Sequence, residues 1–254
     1  MKETARKWTA LLLAVWLLVG LAQPTAWATA DEVTISSSEE FAEFSKNCSL
    51  DTWSQGKTFR LTADINLSAM NFTSIPTFGG TFLGDGHTIS GFQIEASGSN
   101  LGLFRYVQAG AVIQDLHVSG LVDPGGSRST VGGIAGVNAG AIRNCSFRGT
   151  VKGDASVGGI AGRNDESGEI SGCTAAGTIQ GMDGTGGIAG RNYGLLLKCE
   201  NNASINTIQQ DASLDLDALS GSGLSRLTSQ NGSEDLLTSH ADTGGVAGYS
   251  SGVI

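Results

Sequence analysis

A short glycine-rich string returns four times along this chain and constrains its fold more than any other feature. It occurs at Val131–Gly136, Val157–Gly162, Thr185–Gly190 and Thr243–Gly248. Successive copies begin 26, 28 and 58 residues apart, and the last interval is close to two periods. A fixed period of about 20 to 50 residues is typical of arrays in which each repeat is one supersecondary unit. We therefore expect one solenoid rather than several globular domains.

Apolar residues recur at fixed positions inside each repeat. One copy places Ile142, Cys145, Phe147 and Val151 at relative positions 0, 3, 5 and 9. Steps of two residues keep side chains on one face of a strand, whereas the step of three requires a bend. A repeat this rich in glycine is a poor helix, since 38 of the 254 residues are Gly. The pattern predicts short strands, joined by bends and stacked in parallel.

Stacking would line up equivalent apolar side chains as rows through the core, because one repeat cannot bury its own apolar face. The predicted first row contains Ile89, Ile113, Ile142, Ile170 and Leu196. The predicted second row contains Phe92, Leu116, Cys145, Cys173 and Cys199. The predicted third row contains Val122, Val151, Ile179 and Ile205.

Three asparagines follow the glycine-rich strings at equivalent positions. Asn138, Asn164 and Asn192 stand at a corner where one repeat carries two extra residues, which indicates an exposed loop there. The asparagines could stack as a hydrogen-bonded row, or they could adopt the left-handed backbone conformation of a turn. We favour the turn.

The N-terminus has the pattern of a secretory signal peptide. Lys2, Arg6 and Lys7 precede the uncharged run 8–22, and two overlapping small-x-small cleavage patterns end at Ala30. The run of 15 residues is shorter than the roughly 20 that span a bilayer, although an uncleaved anchor is the alternative. We expect residues 1–30 to be a signal peptide. Its removal changes the net charge from −9 to −11, since three cations and one anion leave, which disfavours nucleic acid and anionic lipid as partners.

The two ends of the predicted solenoid differ. We expect residues 31–57 to form an N-terminal cap that includes a short helix from about Ser38 to Asn47, because Ser37 and Glu40 form a capping box. The β-helix would occupy 58–254, with 206–242 as a probable insertion. Residues 243–254 match the first half of another repeat, so we expect further coils beyond Ile254 in the full-length protein.

The stretch Gly132–Cys145, with the sequence GGIAGVNAGAIRNC, resembles the GLUG repeat, and residues 61–67 and 80–91 look like the lead-in common to such proteins. The resemblance covers about three quarters of the chain. It implies an all-β fold, a right-handed parallel β-helix like that of pectate lyase. The family occurs in bacterial surface proteins, including adhesin-like proteins and the non-catalytic part of IgA-specific metallopeptidases.

No complete set of catalytic groups is evident, and we expect no catalytic residue, cofactor or metal site in this chain. The three histidines, His87, His117 and His240, lack the spacing of a zinc peptidase. His87 follows an Asp-Gly pair and is expected in a turn. The outward position after the first row holds Gln114, Arg143, Ser171 and Leu197, which form no reactive set. The acidic residues are scattered along the sequence, at Asp115, Asp154, Asp165, Glu166, Glu169 and Asp183.

The four cysteines are expected to be free core thiols. Three share one repeat position, 28 and 26 residues apart, and no Cys-x-x-Cys pair suggests a metal site. Adjacent coils bring the Cα atoms within disulfide range, yet parallel stacked side chains fit the disulfide torsion badly. A thiol in that position behaves as a small apolar group.

These observations favour a secreted or cell-surface module without enzymatic activity. It would be adhesin-like, or a stalk that presents a binding surface or a downstream domain, with an unknown extracellular protein or polysaccharide as partner. The alternative is a carbohydrate-active enzyme, a polysaccharide lyase or glycosidase, because the β-helix also hosts such enzymes.

Overall fold

The protein is a parallel β-solenoid of about six turns, as seen in a computed structural model that describes residues 32–125, 129–206 and 241–254. The predicted signal peptide and nearly all of the predicted insertion lie outside these residues. Each full coil contributes one strand to each of four parallel sheets, A, B, D and C in chain order. The predicted parallel β-helix with one short helix near its N-terminus is confirmed.

The strands of the four sheets are short. Sheet A contains β1 (Glu32–Ile35), β2 (Thr58–Leu61), β4 (Thr81–Leu83), β7 (Val112–Gln114), β11 (Ala141–Arg143), β15 (Glu169–Ser171) and β19 (Leu195–Leu197). Sheet B contains β3 (Ile65–Asn66), β5 (Thr88–Ile94), β8 (His117–Val122), β12 (Ser146–Lys152), β16 (Thr174–Gln180) and β20 (Glu200–Ile205). Sheet D contains β9 (Ser129–Gly132), β13 (Ala155–Gly158), β17 (Asp183–Gly186) and β21 (Ala241–Gly244). Sheet C contains β6 (Phe104–Val107), β10 (Ala135–Asn138), β14 (Ala161–Asn164), β18 (Ala189–Asn192) and β22 (Ala247–Ser250).

The one helix of the residues that the structure describes, α1 (Ser38–Asn47), covers the N-terminal end of the core. The Ser37 hydroxyl accepts a hydrogen bond from the Glu40 backbone N–H, and the Glu40 carboxylate accepts one from the Ser36 N–H at 2.7 Å. These bonds satisfy N–H groups at the start of the helix that have no partner within it. Phe41 and Phe44 lie on one face and are fully buried against the core. The capping segment also contains a strand that sequence reasoning missed, since β1 pairs with β2 and extends sheet A by one row.

Two of the three predicted apolar rows need correction near the N-terminus. In sheet A the buried row is Phe59, Phe82, Ile113, Ile142, Ile170 and Leu196, and Val33 continues its register but is exposed. Ile89 was placed in that row, but it pairs with Ile65 and Val118 in sheet B. Phe92 was placed beside Leu116, but it pairs with Gly120 across an irregularity in β5.

The cause of this error lies in β5. Ile89 and Phe92 are three residues apart, as are Ile113 and Leu116, but Ile89 and Phe92 both lie in sheet B, where a register irregularity between Ser90 and Phe92 produces that step. The sheet A position of the same coil belongs to Phe82. The third row is correct, and Ile94 extends it by pairing with Val122.

The paired glycines of the repeat allow close contact between opposite walls of the solenoid. A Cβ atom on Gly133 would lie 2.4 Å from the Phe147 ring, and one on Gly159 would lie 2.6 Å from the Ala175 Cβ. The second glycine of each pair therefore leaves room for the inward side chain of sheet B. In sheet B the position of Phe147 and Ala175 is occupied in the next coil by a polar residue, Asn201. The Asn201 Oδ1 accepts a hydrogen bond from the Ala203 N–H of the same strand at 2.9 Å.

The asparagines at the sheet C corner form a hydrogen-bonded row, so the favoured turn interpretation was wrong. Asn138, Asn164 and Asn192 are fully buried, and none has a positive φ. The Asn138 Nδ2 donates to the Asn164 Oδ1 at 2.8 Å, and the Asn164 Nδ2 donates to the Asn192 Oδ1 at 2.8 Å. The row ends at the Ser250 hydroxyl, 3.1 Å from the Asn192 Nδ2. Each amide also bonds to turn backbone, as between the Asn138 Oδ1 and the Gly140 N–H at 3.2 Å.

Candidate binding groove

All three tyrosines of the chain lie along sheet C and the turns that follow it. Tyr106 is in β6 and Tyr249 in β22, while Tyr193 directly follows β18. Tyr106 and Tyr249 are 38% and 42% exposed, whereas all nine phenylalanines are buried. Exposed aromatic residues gathered on one face are typical of a binding surface.

A shallow groove of about 640 Å³ crosses this face. Tyr106 and Tyr193 line its two ends, with Arg163 between them in the axial direction. Three strand intervals separate the coils that carry the two rings, and at about 4.8 Å per interval the separation is roughly 14 Å along the axis. The groove is therefore elongated along the solenoid rather than closed around a small molecule.

One wall of the groove is the two-residue insertion that the sequence predicted as an exposed loop. It runs through Asp165, Glu166 and Ser167, all of which line the groove. The Asp165 N–H donates to the Asn138 carbonyl at 2.8 Å, and the Ser167 hydroxyl donates to the Ala139 carbonyl at 2.8 Å. The loop is thus bonded to the preceding coil at both ends, which holds its side chains in place.

Arg163 and Arg191 on this face are each paired with a carboxylate. Arg163 lies 2.6 Å from Asp165, and Arg191 lies 2.6 Å from Asp183. Arg191 also lies over the Tyr249 ring at 6.0 Å. Glu166 is exposed and has no ion pair among the residues that the structure describes. Arg163, Asp165 and Glu166 together give the groove about one net negative charge.

The scattered acidic residues of the sequence are only partly brought together. Asp165 and Glu166 share the groove, whereas Glu169 lies on the outer face of sheet A. There the Arg143 guanidinium donates two hydrogen bonds to Glu169, at 2.7 and 2.9 Å, and with the Ser171 hydroxyl it lowers the pKa of that carboxyl to about 2. Glu169 is therefore tied to a structural ion pair. Asp183 begins β17 rather than lying in a turn.

A serine and a histidine meet at the start of sheet B, which sequence reasoning missed. His117 pairs with Ser146, and the His117 Nδ1 lies 2.7 Å from the Ser146 hydroxyl. The equivalence of Leu116 and Cys145 in the repeat already implied this contact. His87 follows the turn at Asp85 and Gly86, as predicted, and its ring contacts Asp64 at 3.2 Å. Among the described contacts, no carboxylate accepts a hydrogen bond from the His117 Nε2. The Ser146–His117 pair therefore lacks the third member of a catalytic triad.

The cysteines pack as free thiols in the described core. Cys145 and Cys173 are buried, and their Sγ atoms lie 3.7 and 3.5 Å from the carbonyls of Ile113 and Ile142. The neighbouring Cys145 thiol and burial raise the pKa of Cys173 to about 12. Such a thiol carries almost no thiolate at neutral pH and is a poor nucleophile.

Within 32–125, 129–206 and 241–254, no three His, Cys, Asp or Glu side chains come together as a metal site. No helix in the same part of the chain is long and apolar enough to cross a membrane.

Comparison with known proteins identifies the repeat. The model of the GLUG motif matches residues 127–152 and 153–180. Halomucin from Haloquadratum walsbyi is 34% identical over 128 residues, which is 44% of this chain and 1% of halomucin. A crystal structure of a candidate immunoglobulin A1 protease from Bacteroides ovatus is similar with a TM-score of 0.47 and 19% identity, over 70% of this chain and 68% of the other.

The matched residues coincide with two complete coils. The first match ends with β12, and the second contains β13 to β16. One GLUG motif is thus one turn of the solenoid, and it includes the glycine pair, the row asparagine and the apolar positions described above. Residues 127–180 of this chain therefore match the GLUG motif and form two turns of a parallel β-solenoid.

Proposed function

We propose that this chain is an extracellular or cell-surface module of a bacterial protein, without enzymatic activity, that presents a binding surface along its length. In this role it would be adhesin-like, and in the full-length protein it would also hold further domains away from the cell. The observation that carries the proposal is the groove on sheet C, where the rings of Tyr106 and Tyr193 and the Arg163–Asp165 ion pair line one face of the stacked coils.

Several features of the chain support this role. The sequence of residues 1–30 has the pattern of a secretory signal peptide. The described coils use their inward residues for packing and their corner asparagines for hydrogen bonds, so function is left to the outer faces and loops. Each coil of a solenoid contacts only its neighbouring coils, so the protein can be long and can present an extended surface.

The location is tested by expressing the full chain with a C-terminal tag in a bacterial host and fractionating the culture. We expect the tagged protein outside the cytoplasm, with Asp31 as its first residue by mass spectrometry. The variant Leu12→Arg places a charge in the apolar run and should keep the protein inside at its full length. Cytoplasmic retention of the unaltered chain would overturn the proposed location.

The absence of turnover is tested separately on the exported protein. We expect no new reducing ends and no unsaturated products from a panel of neutral and acidic polysaccharides. Product formation that requires Asp165 or Glu166 would instead support the polysaccharide lyase or glycosidase, because these are the two carboxylates of the groove.

A further inference from the structure

We propose that the groove on sheet C binds an uncharged oligosaccharide, laid along the solenoid axis between Tyr106 and Tyr193. This inference rests on the proposed function, since it names the class of ligand for the same surface. Three independent features of the groove carry it: its rings, its charge balance and its shape.

The rings supply apolar platforms. The C–H groups on a sugar face carry partial positive charge, and an aromatic face carries partial negative charge, so the two attract while apolar area is removed from water. Tyr106 is 38% exposed, so part of its ring surface is open to a ligand. Tyr193 is braced by Tyr249, whose ring centroid is 6.1 Å away. This support keeps the ring in place before a ligand arrives.

The charge balance favours hydroxyl groups over ionic ligands. The Arg163 Nε donates to the Asp165 Oδ1 at 2.6 Å, so neither charge is available in full to an ion. The remaining N–H groups and oxygen lone pairs of such a pair suit vicinal hydroxyls, which both donate and accept. Glu166 adds a negative charge, and the whole chain carries −9. An acidic polysaccharide would therefore be repelled by the groove. A flat apolar partner would remove water from the Arg163–Asp165 pair without replacing its hydrogen bonds, which disfavours binding.

The shape favours a chain molecule. The groove is about 640 Å³ and open along its length, with its two tyrosines at the ends and its polar groups between them. Roughly 14 Å between the coils that carry the rings accommodates a short run of sugar units, but a single sugar could not reach both. A ligand in extended conformation would pack on each ring and bond to Arg163 and Asp165 between them.

The test uses the full mature chain on an immobilised panel of neutral, acidic and amino oligosaccharides, followed by calorimetry on the ligands that bind. We expect binding to neutral oligosaccharides of three or more units and not to monosaccharides. Tyr106→Ala and Tyr193→Ala should each weaken binding roughly tenfold, since one ring contact is worth about 1.4 kcal/mol. Leu197→Ala is the matched control, because Leu197 is 43% exposed on sheet A, away from the groove.

The outcomes separate the two proposals. Binding of acidic rather than neutral sugars, or full affinity in the Tyr106→Ala, Tyr193→Ala double variant, would overturn the ligand assignment. Circular dichroism of each variant shows whether a loss of binding reflects a loss of fold. A protein that is exported and displayed yet binds no neutral oligosaccharide would leave the surface module intact and remove only the inference about its ligand.

Discussion

The N-terminal coils, up to Val107, and the repeat coils, from Ser129, fill the same solenoid cross-section by different means. Eight of the nine phenylalanines precede residue 105. They interlock with one another, as at Phe44 and Phe59, whose ring centroids are 4.7 Å apart. The repeat coils hold a single phenylalanine, Phe147, and use small residues, paired glycines and the asparagine row instead.

The difference shows how packing and regularity are related. Large rings reach across the core and fill gaps of varied shape, so the connections between N-terminal strands differ in length from coil to coil. In the three repeat coils that contain the glycine pairs from Gly132 to Gly187, a Cβ on either glycine of a pair would lie within 2.4 Å of a backbone oxygen, so successive coils must follow nearly the same path. A core packed with aromatic rings thus permits coils of different length. A core in which backbone contacts backbone at the paired glycines requires successive coils to have the same path.

The largest effect should come from removing a ring at the aromatic end. Phe59→Ala deletes contacts with Phe44, Trp53 and Phe78, and we expect a loss of about 3–5 kcal/mol in the free energy of unfolding. Phe147→Ala is the matched change in the repeat coils, where no ring pair is lost, and it should cost less. Both are measured by denaturant titration of the mature chain with Trp53 fluorescence. Equal losses at the two positions would mean that the ring-to-ring contacts add no stability to the N-terminal coils.

A methyl group at a paired glycine should be the next most damaging change. In Gly159→Ala the new Cβ would lie 2.3 Å from the Gly187 carbonyl oxygen, so the coils must separate, at a cost of about 1–3 kcal/mol. Gly245 occupies the equivalent position in the last described coil, where no atom lies within 4 Å of a new Cβ. We expect Gly245→Ala to leave the thermal midpoint nearly unchanged. If both substitutions were harmless, close backbone packing would not be what enforces the repeat.

The smallest of the three effects is expected in the asparagine row. Asn164→Ala leaves the buried Asn192 Oδ1 without its 2.8 Å donor, which should cost about 1–2 kcal/mol in urea titrations. Ser250→Ala, at the exposed end of the row, should cost less than about 0.5 kcal/mol. A neutral result for Asn164→Ala would mean that the row is a by-product of turn geometry.

The repeat coils could be predicted from the sequence more accurately than the N-terminal coils. The repeat coils were predictable because Ile142, Ile170 and Leu196 recur with the backbone path, and the helix because Ser37 and Glu40 form its cap. The first rows were misassigned because Ile89 and Phe92 of sheet B reproduce the three-residue spacing of the later rows. Phe82, which holds the sheet A position of that coil, has no isoleucine or leucine character to reveal it. The groove was not predicted, since Tyr106, Arg163 and Tyr193 come from different coils and meet only through the stacking register.

The asparagine row has a consequence for how such a gene can change. Each asparagine presents a hydrogen-bond acceptor to the coil before it and donates a hydrogen bond to the coil after it. The hydrogen-bonding groups that one coil presents to the next are therefore the same throughout the row. Recombination between two copies would add or delete a whole turn and leave no mismatched bond at the junction. Lineages could thus lengthen or shorten the protein in steps of one coil, while the interior chemistry stayed constant and only the exposed corners diversified.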